Sequence, residues 1–197
     1  MCYHEHVTGA QLLRFARVAS GTSQHELARR TGIHQPSIWA IENAAHDPTV
    51  ATLSRLLAGL GNQVTSLPTL SLTAATAAAL THQALEEGNL GGADVSVLQL
   101  ADDLAAAEPV LRAALVVGPA PLTGDRRYDA WIAAVVEYRL AEVGIPAPTW
   151  VHDPSRVADE EWVAGGIAGL ADVVRPTTPE PFARRRVLFS SLDLQSV

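Results

Sequence analysis

The sequence predicts an all-α protein: an N-terminal bundle of short helices, then a mainly helical C-terminal region holding one short possible strand. Three observations predict this. Hydrophobic residues make up 48% of the chain but aromatics only 5%, so the core is built mainly from Ala, Leu and Val, which favours helices over sandwiches. Apolar residues recur at helical spacing in short runs that begin at capping residues and stop at Gly or Asp-Pro. Only "RVLFSS", near the C-terminal end, reads as a strand.

Residues 9–20 carry Leu12, Leu13, Ala16 and Val18 with Arg14 and Arg17 between them, a helix that stops at Gly21. Ser23 stands three residues before Glu26, the spacing of a capping box. Leu27 and Ala28 face inward, and Gly32 ends this second helix where the chain must turn left-handed. His34 opens the third, with Pro36 tolerated in its first turn and Ile38 and Ile41 on its inner face. Asp47-Pro48 breaks it. Thr49 then caps a fourth helix running through Leu53, Leu56, Leu57 and Leu60 to Gly61.

After the linker "NQVTSLPTLS" come two Ala-rich helices, 73–87 and 94–107, and a short one from Pro109. "VGPAPLTG" is a second linker. Residues 126–143 place Tyr128, Trp131, Ile132, Val135, Arg139 and Val143 near one helical face. "IPAPTW" must be extended, and 154–163 forms a short helix. The boundaries are thus an arm over 1–8, a first domain over 9–65, an acidic helical middle over 66–118 and a C-terminal region over 119–197.

The net charge of −7 is unevenly spread. Through residue 65, five arginines face four acids; the remainder holds nine arginines and 17 acids. In the middle, Glu86, Glu87, Asp94, Asp102, Asp103 and Glu108 face only Arg112, a stretch that repels DNA or keeps the chain soluble. Cys2 is the sole cysteine, so there is no intrachain disulfide and no CxxC knuckle. Cys2, His4 and His6 alternate as on a metal-binding strand, but the arm is short and lacks a partner segment; no metal or cofactor is expected. No signal-like apolar stretch opens the chain. The charge-free run over 56–85 is interrupted by Gly59, Gly61 and Pro68, which argues against a membrane span. A cytoplasmic protein is expected.

A helix-turn-helix corner needs a small residue where its helices cross, a glycine four residues later and apolar residues to seal the pair. Ala28, Gly32, Ile33, Ile38 and Ile41 meet those needs. "LRFARVASGTSQHELARRTGIHQPSIWAIENAAHDPTVATLSRLLAGLG" carries a wider pattern: an Arg, Ser-Gln, Leu-Ala, Gly-Ile, Ile-x-x-Ile-Glu, Pro and Thr-Leu-x-x-Leu-Leu. It resembles the XRE (phage-repressor-like) helix-turn-helix family. The resemblance implies that Gln24 contacts the phosphate backbone and that Gln35, Pro36, Ser37, Ala40 and Asn43 lie on the outer, base-reading face. Gln35 suits a bidentate contact to adenine. Arg17 and Glu42 match a partly buried salt bridge, so breaking one side is expected to cost about 3–5 kcal/mol.

The chain departs from that pattern at several positions. Trp39 stands where a small polar residue is usual, with three roles open: stacking on the sugar-phosphate edge, packing inside or meeting a partner. Ala40 and Asn43 replace frequent arginines, Ala44 a usual glycine, and Thr22 and Ala16 larger apolar residues. Fewer cations imply a shallow salt dependence, and so a homodimer reading two half-sites of double-stranded DNA about 34 Å apart.

"RRYDAWIAAVVEYRLAEVGIPAPTWV" and "PEPFARRRVLFSS" resemble the C-terminal half of long actinobacterial XRE antitoxin/transcriptional regulators, with Arg186 where a Gly is common. That resemblance implies a DNA-binding antitoxin that represses its own type II toxin–antitoxin operon and neutralises a toxin encoded by a neighbouring gene, some such toxins being nucleotidyltransferase-like. Tyr128, Trp131, Phe182, Arg184 and Arg185 are the candidate partner-binding residues. The alternative is a stand-alone repressor whose C-terminal region dimerises or senses a ligand. An enzyme is not expected: His152, Asp153 and Asp125 are framed by no nucleophile elbow, phosphate loop or metal spacing.

His25 and His34 lie beside the expected phosphate surface.

Overall fold

Thr8 opens the first helix through a reciprocal capping box. Its hydroxyl accepts from the Gln11 backbone N–H, and the Gln11 side chain accepts from the Thr8 N–H at 3.0 Å. Helix α1 (Gly9–Ala19) follows. The structure, a computed structural model, describes residues 8–66, 69–166, 168–192 and 194. These fall into two compact units, one within His6–Thr69 and one within Leu70–Val197. Cys2, His4 and His6 lie outside the described residues.

In the N-terminal unit, Ser23 caps α2 (Gln24–Thr31) by accepting from the Glu26 N–H. The other half of the expected capping box does not form. Glu26 turns instead to Arg29 and Arg30, at 2.7 and 2.8 Å, because charge-assisted bonds from two guanidiniums outcompete one backbone N–H. Gly32 follows α2 with φ +69°. Pro36 sits in the first turn of α3 (Gln35–Glu42). Thr49 caps α4 (Val50–Ala58), which stops two residues short of Leu60. A Cβ on Gly59 would lie 2.5 Å from Thr31 Cγ2, so the end of α4 can approach α2 this closely only with glycine there. Leu13, Leu27, Ile38, Ile41, Leu56 and Leu57 form the core, with Ala28 and Ile33 packed against it.

The second unit begins with the antiparallel pair α5 (Ala74–Glu86) and α6 (Leu90–Ala106). Helix α6 starts four residues before the expected Asp94, because the Asn89 side chain accepts from the Gly92 N–H at 2.9 Å. Then come α7 (Pro109–Val116) and α8 (Arg126–Ala141). Eleven of the sixteen residues of α8 are buried. It is therefore a central helix enclosed by α5, α6, α7 and the C-terminal segments, not one with a single inward face. The stretches 66–118 and 119–197 share one core around it.

The expected helix over 154–163 is corrected. Only Pro154–Arg156 forms a 3-10 turn, and Trp162–Val163 is a strand, β1. It pairs in parallel with β2 (Val187–Leu188), the strand read from "RVLFSS". Trp162 N–H donates to Arg186 O at 3.1 Å, which fixes residue 162 in the sheet rather than in a helix. Two short helices, α9 (Ala171–Val174) and α10 (Glu180–Ala183), lie between the strands. No described helix is long and apolar enough to cross a membrane.

Among the described residues, two that are not glycine are left-handed, Ala44 at φ 54° and Arg186 at φ 63°. Ala44 closes α3 in a Schellman arrangement, with Ala45 N–H on Ala40 O at 2.9 Å and Ala44 N–H on Ile41 O at 3.0 Å. Replacing Ala44 with Gly removes the Cβ clash of the left-handed state and should stabilise the N-terminal unit by about 1 kcal/mol. Urea denaturation checks this; an unchanged or lower midpoint would refute it.

Candidate nucleic-acid interface

Three helices supply the candidate site: α1 gives Arg14 and Arg17, α2 gives Gln24, and α3 gives its outer face. The Glu42 carboxylate, at the inner end of α3, is almost fully buried and takes three hydrogen bonds. Arg17 Nε donates to Oε1 at 2.6 Å and Arg17 Nη2 to Oε2 at 2.9 Å. Gln24 Nε2 donates to Oε2 at 2.7 Å. Burial pushes the Glu42 carboxyl up, but the hydrogen bonds from Arg17 and then Gln24 outweigh it and hold the group below its usual range. The bond to Glu42 likewise raises the Arg17 guanidinium, which also donates to Thr22 O at 3.0 Å.

The chain of contacts continues outward. Gln35 Nε2 donates to Gln24 Oε1 at 2.8 Å. Gln35 keeps its own amide oxygen and one N–H for another partner, the pair of groups a bidentate adenine contact uses. Pro36, Ser37, Trp39 and Asn43 are exposed on the outer face, and Ala40 is half-buried among them. The corner thus presents the expected residues from a helix whose inner face, Ile38 and Ile41, is sealed. Residues 13–67 match the helix-turn-helix family model. The matched domain is of the XRE type, a DNA-binding domain of transcription regulators. No curated protein and no solved structure matches the chain.

Within this helix-turn-helix domain, two features add to the sequence reading. Gln24, expected at phosphate, has its amide carbonyl and one N–H engaged with Gln35 and Glu42, so it also positions Gln35 and keeps its second N–H. Arg14 was read only as a polar residue of the first helix. It lines one cleft with Arg17, Gln24, Trp39, Glu42 and Asn43. Its signal in the sequence was its place one helical turn before Arg17. On the other side of α3, His25, Arg29, His34 and Gln35 line a second cleft. Arg29 and Arg30 share Glu26, whose carboxyl they hold down at about 2, so these two arginines bring a net charge of one.

The candidate partner face on the second unit is corrected. Tyr128, Trp131 and Phe182 are buried in its core. Tyr128 donates its hydroxyl to Asp94 Oδ1 at 2.7 Å, and Trp131 packs against Tyr128, Trp162 and Phe189. Arg185 is buried, donates to Pro181 O and Val151 O at 2.7 and 2.9 Å, and faces Glu137 at 2.7 Å. Arg184 is partly exposed but pairs with the same Glu137. These residues hold the unit together and do not form a free cationic or aromatic patch. Among the described residues, no group of His, Cys, Asp and Glu could hold a metal.

Because the folded Glu42 carboxyl titrates below its unfolded value, its contribution is present above the unfolded pKa. It is lost as pH falls through the folded one. The unit should therefore weaken below about pH 4, and Glu42→Gln should flatten that loss while costing about 3 kcal/mol at neutral pH. Urea midpoints of both proteins against pH check this; parallel profiles would refute it.

Proposed function

We propose that this chain is a sequence-specific DNA-binding antitoxin that represses its own operon, with the C-terminal unit holding a toxin protein. The observation that carries the DNA half is the chain Arg17–Glu42–Gln24–Gln35, which holds Gln35 in place with a free amide edge on the exposed face of α3. Base edges in a major groove present the donors and acceptors that such an edge pairs with. Ser37 and Asn43 extend the reading face. Arg17, Arg29 and Arg30 all have carboxylate partners, so one copy has few cations to spend on phosphate. That supports a homodimer on two half-sites.

The antitoxin half rests on the second resemblance alone. The residues that carry that resemblance, Tyr128, Trp150, Phe182 and Arg185, all belong to its interior or line it. Arg186 is left-handed where the resembled proteins carry glycine. No catalytic role enters this reading. Asp125 caps α8 and binds Arg127, and Asp153 caps the turn at Ser155.

A second reading, a stand-alone regulator that senses a ligand, is favoured by one observation. A cleft of about 360 Å³ in the second unit is lined by Asp94, Arg127, Tyr128 and Trp162 beside Leu90 and Val163. Purifying the tagged protein from its native cells after nuclease treatment separates the two. A stoichiometric product of the neighbouring gene supports the antitoxin, whereas a lone homodimer supports the alternative. On selected operator DNA, Gln35→Ala should reduce discrimination at one base pair by about 1–3 kcal/mol without unfolding the protein. Unchanged discrimination would remove Gln35 from the reading face.

A further inference from the structure

We propose that Trp39 is an apolar affinity anchor: its indole packs on apolar carbons of the DNA groove and supplies affinity that does not depend on salt. The inference rests on the reading of α3 as the DNA-facing helix. Trp39 is 53% exposed, while Trp131 is fully buried. An indole is the largest apolar side chain available, and leaving half of it in water on a short helix gains nothing for the isolated domain. The side chain stands one turn after Gln35 and one turn before Asn43, on the same stripe of the helix. Its indole N–H donates to no described residue. Asn43 Nδ2 donates to Trp39 O at 2.8 Å and closes the last turn of α3. Arg14 and Arg17 line the same cleft.

The charge distribution makes such an anchor useful. Three of the five arginines in this unit are paired with Glu42 or Glu26. Arg14 and Arg55 have no ion pair among the described residues. Counterion release from so few cations gives a shallow dependence on salt. Apolar burial does not release counterions, so it lowers Kd without steepening that dependence. An indole of this size beside a base-reading glutamine fits two kinds of carbon in the groove: the thymine methyl or the deoxyribose.

The test measures Kd against salt on an operator duplex selected from random DNA, using wild type, Trp39→Ala, Trp39→Phe and Arg14→Ala. Trp39→Ala should weaken binding on the order of tenfold to a hundredfold at every salt concentration, with the log–log slope unchanged. Trp39→Phe should recover most of the loss, and Arg14→Ala should reduce the slope by about one. Replacing operator thymines with uracil one at a time then locates the contact. If the indole meets a methyl, one replacement reproduces the loss in wild type and has no effect in Trp39→Ala. If it meets deoxyribose, every replacement is neutral while Trp39→Ala still binds weakly. Wild-type affinity in Trp39→Ala, or a loss that changes the slope, overturns the inference while leaving the DNA reading intact. A wild-type protein that selects no sequence overturns the DNA reading itself, and this inference with it.

Discussion

Glu42 gives up its water at the inner end of α3 and takes three hydrogen bonds in exchange, two from Arg17 and one from Gln24. A buried carboxylate left without them is strongly destabilising, so α1, α2 and α3 are held to one arrangement. That arrangement fixes which way the Gln24 amide points, and the Gln24 amide fixes Gln35. The orientation of a half-buried side chain at the start of α3 is thus set by a charge inside the domain. A flexible glutamine on a surface helix would otherwise lose rotamer freedom on binding. Here part of that ordering is done before DNA arrives.

The second unit applies the same chemistry to helix ends. Arg112 donates to Ala105 O and Arg139 O, both at 2.8 Å, and Arg139 donates to Ala101 O at 3.0 Å and Leu194 O at 2.9 Å. Glu142 pairs with both, leaving the three groups a net charge of one. Ala105 O and Arg139 O lie in the last turns of α6 and α8, where the helix supplies no donor, and the guanidinium of Arg112 suits the negative poles there. Arg156 lies over the Trp150 ring and 3.5 Å from Asp129; burial pulls its guanidinium down and pushes the Asp129 carboxyl up. All 14 basic residues are arginine. A planar fork with five donors can serve several carbonyls at once, which an ammonium group cannot do with fixed geometry.

The N-terminal architecture was legible because its signals are local. Gly21, Gly32 and Thr49 act on the backbone within a few residues, and the spacing from Ala28 to Gly32 is set by one turn of helix. The Arg17–Glu42 pair was legible only through the family pattern, since the two are distant in sequence. What stayed hidden depends on distant partners. Glu26 had the capping-box spacing but found two nearer charges. Strand β1 is defined by Val187 and Leu188, more than twenty residues away. Helix α8 showed one obvious apolar face, yet Ala130, Ala133, Ala134 and Val136 are buried on the others; alanine fits either environment and marks neither. Three consecutive arginines read as a patch, although Arg185 points inward and Arg184 is paired.

Among the described residues, the core of the N-terminal unit consists of six buried aliphatic side chains, with the small Ala16 and Ala28 packed against them. Such a core leaves a narrow margin against opening. A ligand that binds only the closed form adds to that margin in proportion to the logarithm of its occupancy. Copies seated on DNA would therefore open rarely, and free copies often. Where proteases take the open form, degradation follows that population. The lifetime of each molecule in the cell would then report whether it is in use, and a surplus of unbound protein would be cleared first.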